Sequence, residues 1–383
     1  MKAYLRTAIV LVVLSAGMAT LLTKQLAGQK QPEDLQWLDP RTSALPTDRH
    51  GPFIKLNDGS LLIVEKSNAT RITRDEGRTW SEPRPIITEG LAAGLPSYSG
   101  ALLKTGKGVI ILVYMDRATY KWNWLDEEGY ASADTRLDVW SIRSLDDGKT
   151  WVDRHKILDG YCGGLNSIIQ LRSGEIVVPV QDLTSDRKRH GQYTYVSTDE
   201  GKTWTRSNLI DLGGRGHHDG AFESTLAELN DGQLLMLIRT SLDRFWEAIS
   251  TDKGHSWRIL RPSAIDASNS PGYLTRLASG RLALVWNRLY AQGKTTTRRT
   301  SYWRSLSELP CSLERAELSI AFSEDDGKRW TEPAVFLRSA SQASYPHIYE
   351  HKPGELWITT MEFGLKAVKL RESDFIGGTA KKP

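Results

Sequence analysis

Apolar residues in this chain arrive in short bursts, with no sustained helical spacing beyond the first thirty residues. Six bursts, at 61–64, 109–114, 175–180, 234–238, 282–286 and 355–359, each follow a turn ending in glycine, at Gly59, Gly108, Gly174, Gly232, Gly280 and Gly354. Short β-prone runs bounded by glycine turns read as strands. The turns lie roughly 47 to 74 residues apart, enough chain for one four-stranded sheet per repeat. Six sheets in series predict an all-β fold, a six-bladed β-propeller of four-stranded antiparallel blades. From Phe363 onward there is material for only one more strand, so the sixth blade's missing strand is expected from the segment near Gln36 to Thr42, closing the ring.

A second repeat interleaves with the first. The pattern Ser/Thr-x-Asp-x-Gly-x-x-Trp occurs five times, starting at Thr73, Ser144, Ser197, Ser250 and Ser323 and ending at Trp80, Trp151, Trp204, Trp257 and Trp330. Each copy has the makings of a hairpin turn: the Asp carboxylate accepts bonds from backbone N–H groups, Gly supplies a positive φ, and Trp packs the turn against a neighbour. Five of the thirteen Trp are thereby assigned to structure and not to chemistry.

Strand register shows where polar groups gather. In an antiparallel hairpin centred on Asp231, Glu223 and Arg239 are equidistant from the turn and should face each other. The same counting in the other units brings Arg49, Tyr98, Asn166 and Tyr345, at strand entries, to one end of the ring. Lys66, Asp116, Gln181, Asp182, Arg288 and Glu362 come there at strand exits. The axial mouth of a propeller, to which every blade contributes a loop, is where ligands bind. An insertion at 119–136 carries Trp122 and Trp124, aromatic faces suited to walling a sugar pocket.

Charge and composition narrow the classes. The 383 residues carry 50 Lys+Arg against 46 Asp+Glu, a net charge of +4 that is too small and dispersed for a nucleic-acid surface. Residues 1–30 hold Lys2 and Arg6, an uncharged apolar stretch at 7–22, then Lys24, the pattern of a secretory signal. Cleaved signal and retained anchor both fit, so an extracytoplasmic location, secreted or periplasmic, is expected, with any membrane contact through that anchor and the propeller occupying 31–383. Cys162 and Cys311, 149 positions apart, read as two buried free thiols, with pairing in an oxidising compartment as the alternative. No Cys/His ligand spacing and no phosphate loop supports a metal, nucleotide or redox cofactor, so none is expected.

The boxed propeller resembles the sialidase (neuraminidase) superfamily over nearly all of the chain after residue 30. The sharper matches are RHGPFIKLNDG with Arg49, ESTLAELNDGQLLMLIR with Glu223 and Arg239, ERAELSIAFSEDDG with Arg315, and ASYPHIYEHKPGELW with Tyr345. The resemblance implies three arginines, Arg49, Arg239 and Arg315, that hold a sugar carboxylate, with Tyr345 as nucleophile and Glu223 as its general base. It implies a retaining exo-α-sialidase-like glycoside hydrolase whose partners are sialylated or other acidic glycans. Glu65 is a candidate to orient Arg49.

One departure stands out. The family places an acid/base Asp between the first blade's second strand and its box, and residues 65–73 (EKSNATRIT) contain none. Asp116, Asp182 and the run His217, His218, Asp219 are the alternatives that location offers. The missing Asp also keeps two rivals open: a propeller that binds acidic sugar without cleaving it, and a glycosidase or lyase for a different acidic sugar.

Overall fold

The five boxes fold as the turn chemistry requires. In each, the Ser or Thr hydroxyl donates to the Asp carboxylate and accepts the Gly N–H. The same carboxylate accepts the backbone N–H two residues past the Gly: Asp75 from Thr79, Asp146 from Thr150, Asp199 from Thr203, Asp252 from Ser256 and Asp325 from Arg329, at 2.8 to 2.9 Å. The residue before each Gly and the Gly itself both have positive φ, as at Glu200 (60°) and Gly201 (79°), the pairing a type I′ turn demands. A side chain at Gly201 would also meet Ile111 Cδ1 of the preceding blade at 2.8 Å, so the box presses directly on its neighbour. Trp204 Nε1 donates to Ser141 Oγ at 2.9 Å and Trp257 Nε1 to Thr194 Oγ1 at 2.8 Å, each reaching one blade back.

The computed structural model describes residues 36–65, 68–87, 100–300, 306–362 and 365–376. The signal-like segment 1–30, Lys66 and Tyr98 lie outside them. The chain divides into a short unit, Met1–Trp37, and a larger one, Leu38–Pro383. The larger unit is a six-bladed β-propeller of four-stranded antiparallel sheets. Blade 1 contains Ile54–Lys55, Leu61–Glu65, Ala69–Thr73 and Arg84–Pro85. Blade 2 contains Gly100–Lys104, Ile110–Met115, Val139–Ser144 and Val152–Leu158, and blade 3 contains Ile169–Gln170, Ile176–Leu183, His190–Ser197 and Thr205–Arg206. Blade 4 contains Phe222–Glu228, Leu234–Arg239, Arg244–Ser250 and Ile259–Asp266. Blade 5 contains Tyr273–Arg276, Leu282–Trp286, Glu317–Ser323 and Ala334–Ser339. Blade 6 joins Ser344–Lys352, Glu355–Glu362 and Ala367–Arg371 to the early strand Thr42–Ala44, which pairs Thr42 with Leu370 and Ala44 with Val368. The closing strand therefore begins at Thr42, the last residue of the expected segment, and runs two residues past it. The polypeptide crosses that joint as antiparallel backbone pairing, so the ring is shut by hydrogen bonds between its two ends.

The core consists of packed layers between successive blades. Ile111 and Val113 of blade 2 meet Val178 and Val180 of blade 3, and Leu237 of blade 4 meets Leu284 of blade 5. Central strands such as Ile110–Met115 are buried at every residue because a neighbouring blade covers each face, which explains why they read as continuous apolar runs. Cys162 and Cys311 are buried and free.

Candidate active site

Blade 4 departs from simple register at its first residues. Thr225 pairs with Leu237 as counting predicts, but Arg239 pairs with Phe222 instead of Glu223, so a bulge sits between Phe222 and Thr225. A bulge re-aims the extra residue. Glu223 takes φ of 45°, and its backbone, freed from the ladder, is bonded by side chains of blade 3. Its N–H donates to Gln181 Oε1 at 2.8 Å and its carbonyl accepts from Asn166 Nδ2 at 2.9 Å. Tyr345, at the head of blade 6, also has positive φ, 54°, although it is bulky and precedes Pro346. Such conformations cost on the order of 1–3 kcal/mol each and persist only where the surroundings enforce them.

These two residues meet. The Tyr345 hydroxyl donates to Glu223 Oε1 at 2.8 Å, while Arg239 Nη1 reaches both Glu223 Oε2 and the Tyr345 hydroxyl, the latter at 3.1 Å. Arg239 is 1% exposed; its Nε donates to Asn269 Oδ1 at 2.8 Å and its Nη2 to Asn269 O at 2.9 Å. The same Asn269 carbonyl accepts Arg315 Nη2 at 3.1 Å, and the Arg315 guanidinium lies 5.7 Å from the Tyr345 ring centroid. One backbone oxygen thus gathers two cations beside a phenol and a carboxylate. Asn269 is not among the residues that register counting selects; it belongs to the run Asn-Ser-Pro-Gly entering blade 5.

Arg49 stands apart. Its Nε pairs with Glu65 Oε1 at 3.2 Å and Asp48 at 3.7 Å, and Glu65 also holds Arg71 at 2.8 Å. Among the described residues, none of its hydrogen bonds or ion pairs reaches Glu223, Arg239 or Tyr345.

A cavity of about 260 Å³ opens over the cluster, lined by Glu223, Tyr345, Gln181, Phe222, Tyr161, Gly163, Tyr120, Trp122, His190, His217 and His218. The 119–136 insertion supplies the wall. Trp122 and Trp124 stack at 6.1 Å, and His217 meets both edge-on, at 5.6 and 5.5 Å. Beyond Trp124 a second hollow of about 510 Å³ is rimmed by Asp126, Glu127, Arg215 and Glu308.

A bulged blade, five boxes and this cluster invite comparison with known proteins. A family model described as a BNR repeat-like domain matches residues 64–358. The chain belongs to this family, within the sialidase superfamily. A sialidase of Clostridium perfringens is 27% identical over 242 residues, covering 54% of this chain and 59% of that relative, so the chain spans little more than half of it. Among solved structures, a Hadza microbial sialidase superposes with a TM-score of 0.58 at 16% identity, covering 88% of this chain and 67% of that one. An α-L-arabinanase of Penicillium chrysogenum, solved with arabinobiose, does so with 0.53 at 14% identity, covering 90% and 97%. At such identities these structures share the fold, and the fold alone does not name the sugar.

In this BNR-repeat protein the carboxylates offered in place of the absent Asp are all occupied. Asp116 accepts the Ala118 N–H at 3.0 Å and pairs with Arg154 at 3.1 Å. Asp182 accepts the N–H groups of Tyr161 and Leu183, both at 2.9 Å, and burial pushes its pKa up. Asp219 is buried and accepts four bonds, from Ser241 and Ser307 hydroxyls and from the Arg215 and Glu308 N–H groups. None of the three lines the cavity. His217 and His218 do, with their Nδ1 atoms 2.6 Å apart. Burial lowers the pKa of both. Asp126 and Asp219 oppose that at His217, whereas Arg239, His217, His190 and Arg315 reinforce it at His218. Beneath them the His190 ring is held neutral by burial, its pKa lowered to about 3.

Proposed function

We propose that the chain is a sialidase-type glycoside hydrolase that releases a terminal sialic acid, or a related sugar acid, with retention and with Tyr345 as nucleophile. The observation that carries this reading is the triangle of Tyr345, Glu223 and Arg239 at the floor of the cavity. A carboxylate nucleophile would be repelled by a substrate carboxylate, whereas a phenol is neutral until it attacks. As the Tyr345 oxygen adds to the anomeric carbon, its proton passes along the existing bond to Glu223, and the Arg239 cation steadies the charge developing on the phenol oxygen. Arg315, beside Tyr345, and Arg49 are assigned to the substrate carboxylate. Arg239 spends four of its five N–H donors on Glu223, Tyr345 and Asn269, so its larger role in this reading is to hold the catalytic pair. The cavity lies near the lower limit of ligand pockets, roughly 300–1,000 Å³, which suits one terminal sugar better than a chain.

Release of 4-methylumbelliferone from its α-sialoside by the purified protein tests the reading. Turnover that Tyr345→Phe abolishes is the expected result. A protein that turns over no sialoside yet binds sialic acid, with binding lost in Arg315→Ala, would instead be a lectin, the rival favoured by the missing Asp. A protein that neither binds nor cleaves it would point to another acidic sugar.

A further inference from the structure

Cleaving an unactivated glycoside requires a proton for the departing oxygen, and Glu223 is unsuited to give it because it is receiving one from Tyr345. We propose that His217 is the general acid that protonates the leaving-group oxygen, with His218 as the positioning partner that fixes its proton. The inference rests on the sialidase-type reading above and deepens it.

Three observations carry it. First, among the described residues the titratable groups lining the cavity are Tyr120, Tyr161, His190, His217, His218, Glu223 and Tyr345. Tyr345 and Glu223 are already committed. His190 is fully buried beneath the others, with Gln181 Nε2 at 3.4 Å from its Nδ1. Second, the 2.6 Å separation of the two Nδ1 atoms demands that one ring donate and the other accept. When the pair takes up a proton, the cation is better placed on His217, which faces Asp126 and Asp219, than on His218, which faces Arg239, Arg315 and His190. His217 Nδ1–H then donates to His218 Nδ1, and His217 Nε2–H is the proton to be given away. Third, the histidines are held in place: Asp219 ties their loop to Ser241 of blade 4 and to Ser307 and Glu308, and the His218 N–H donates to Leu306 O at 2.7 Å. His217 packs against both Trp122, which lines the cavity, and Trp124, which lines the second hollow, where a leaving group would lie.

The proton count closes. In the first half-reaction the bond from sugar to leaving oxygen breaks, the Tyr345 oxygen bonds to the anomeric carbon, the Tyr345 proton goes to Glu223, and His217 gives Nε2–H to the leaving oxygen. In the second half-reaction water attacks the anomeric carbon, the bond from that carbon to the Tyr345 oxygen breaks, neutral His217 takes the water proton, Glu223 returns one to the Tyr345 oxygen, and the enzyme is restored.

The test compares two leaving groups in one variant. An aryl sialoside such as the 4-methylumbelliferyl compound departs with little help, whereas 3′-sialyllactose needs the acid. His217→Gln is expected to lower kcat/KM on sialyllactose by roughly 100-fold or more, in the range general-acid groups contribute. The aryl substrate should lose less than about tenfold. In the parent, turnover of sialyllactose should fall as pH rises, on a limb lying below the ordinary His value near 6.5 because burial lowers the His217 pKa, a limb absent for the aryl substrate. An equal loss on both substrates would assign His217 a structural role, and no loss on either would remove it from the mechanism; both results overturn the proposal while leaving the sialidase reading intact. A parent that turns over neither substrate would overturn the sialidase reading itself.

Discussion

Glu223 and Arg239 show what a single pair of residues must do here. At 7% and 1% exposure, their charges are held almost out of water, so each depends on the other and on Asn269. Removing one partner of a buried pair strands the other, at a cost of about 3–5 kcal/mol. Arg239→Met is therefore expected to lower unfolding stability in urea by about that amount, and adding Glu223→Gln should recover most of it. If the double variant is no more stable than the single one, the loss comes from Asn269 and packing against Phe222 instead. These residues were legible in part: register counting brought Glu223, Arg239 and Tyr345 to one end of the ring. The counting did not reveal the bulge, because the one-residue slip is stabilised by Gln181 and Asn166, 42 and 57 positions away from Glu223 along the chain.

At the scale of the element, the box is a device for joining blades, and comparing its glycine with that of the plain hairpin turn at Gly232 separates backbone conformation from blade contact. Gly232 has φ of 86° with open space around its missing side chain, whereas Gly201 combines φ of 79° with Ile111 at 2.8 Å. Gly232→Ala should cost about 1 kcal/mol from backbone conformation alone, and Gly201→Ala distinctly more, measured by urea unfolding. Equal costs would mean that Ile111 yields freely. The box carboxylates also set an acid limit. Hydrogen bonds from the Thr79 hydroxyl and N–H hold Asp75 at a pKa of about 2, and bonds from Arg329 hold Asp325 at about 2. Because the folded values lie below the unfolded value near 3.9, the stabilisation is complete above pH 4 and is lost as pH falls toward 2. Thermal melts should therefore be flat above about pH 5 and drop between 4 and 2, with a shallower drop in Asp75→Asn. A melting temperature unchanged down to pH 2 would show that the boxes carry no such linkage.

For the whole molecule, closure depends on a three-residue strand. Thr42–Ala44 completes blade 6 by pairing with Ala367–Arg371, and Leu45 N–H adds a bond to Ala367 O at 2.9 Å. Removing residues through Ala44 should leave the Ala367–Arg371 edge unpaired, lower the melting temperature and speed amide exchange in blade 6 ahead of blades 2 to 4; uniform exchange would deny that strand its closing role. The sequence by itself determined the blade count, the boxes and the end of the ring where polar groups collect, because turn chemistry and strand periodicity are local and repeat. Only the tertiary structure decided which of those polar groups meet. It set Arg49 on Glu65, used Asn269 to bring Arg239 and Arg315 together, buried Asp219 as a tie, and left His217 and His218 facing the cavity. Such choices depend on contacts between blades, where distance along the chain carries no information about distance in space.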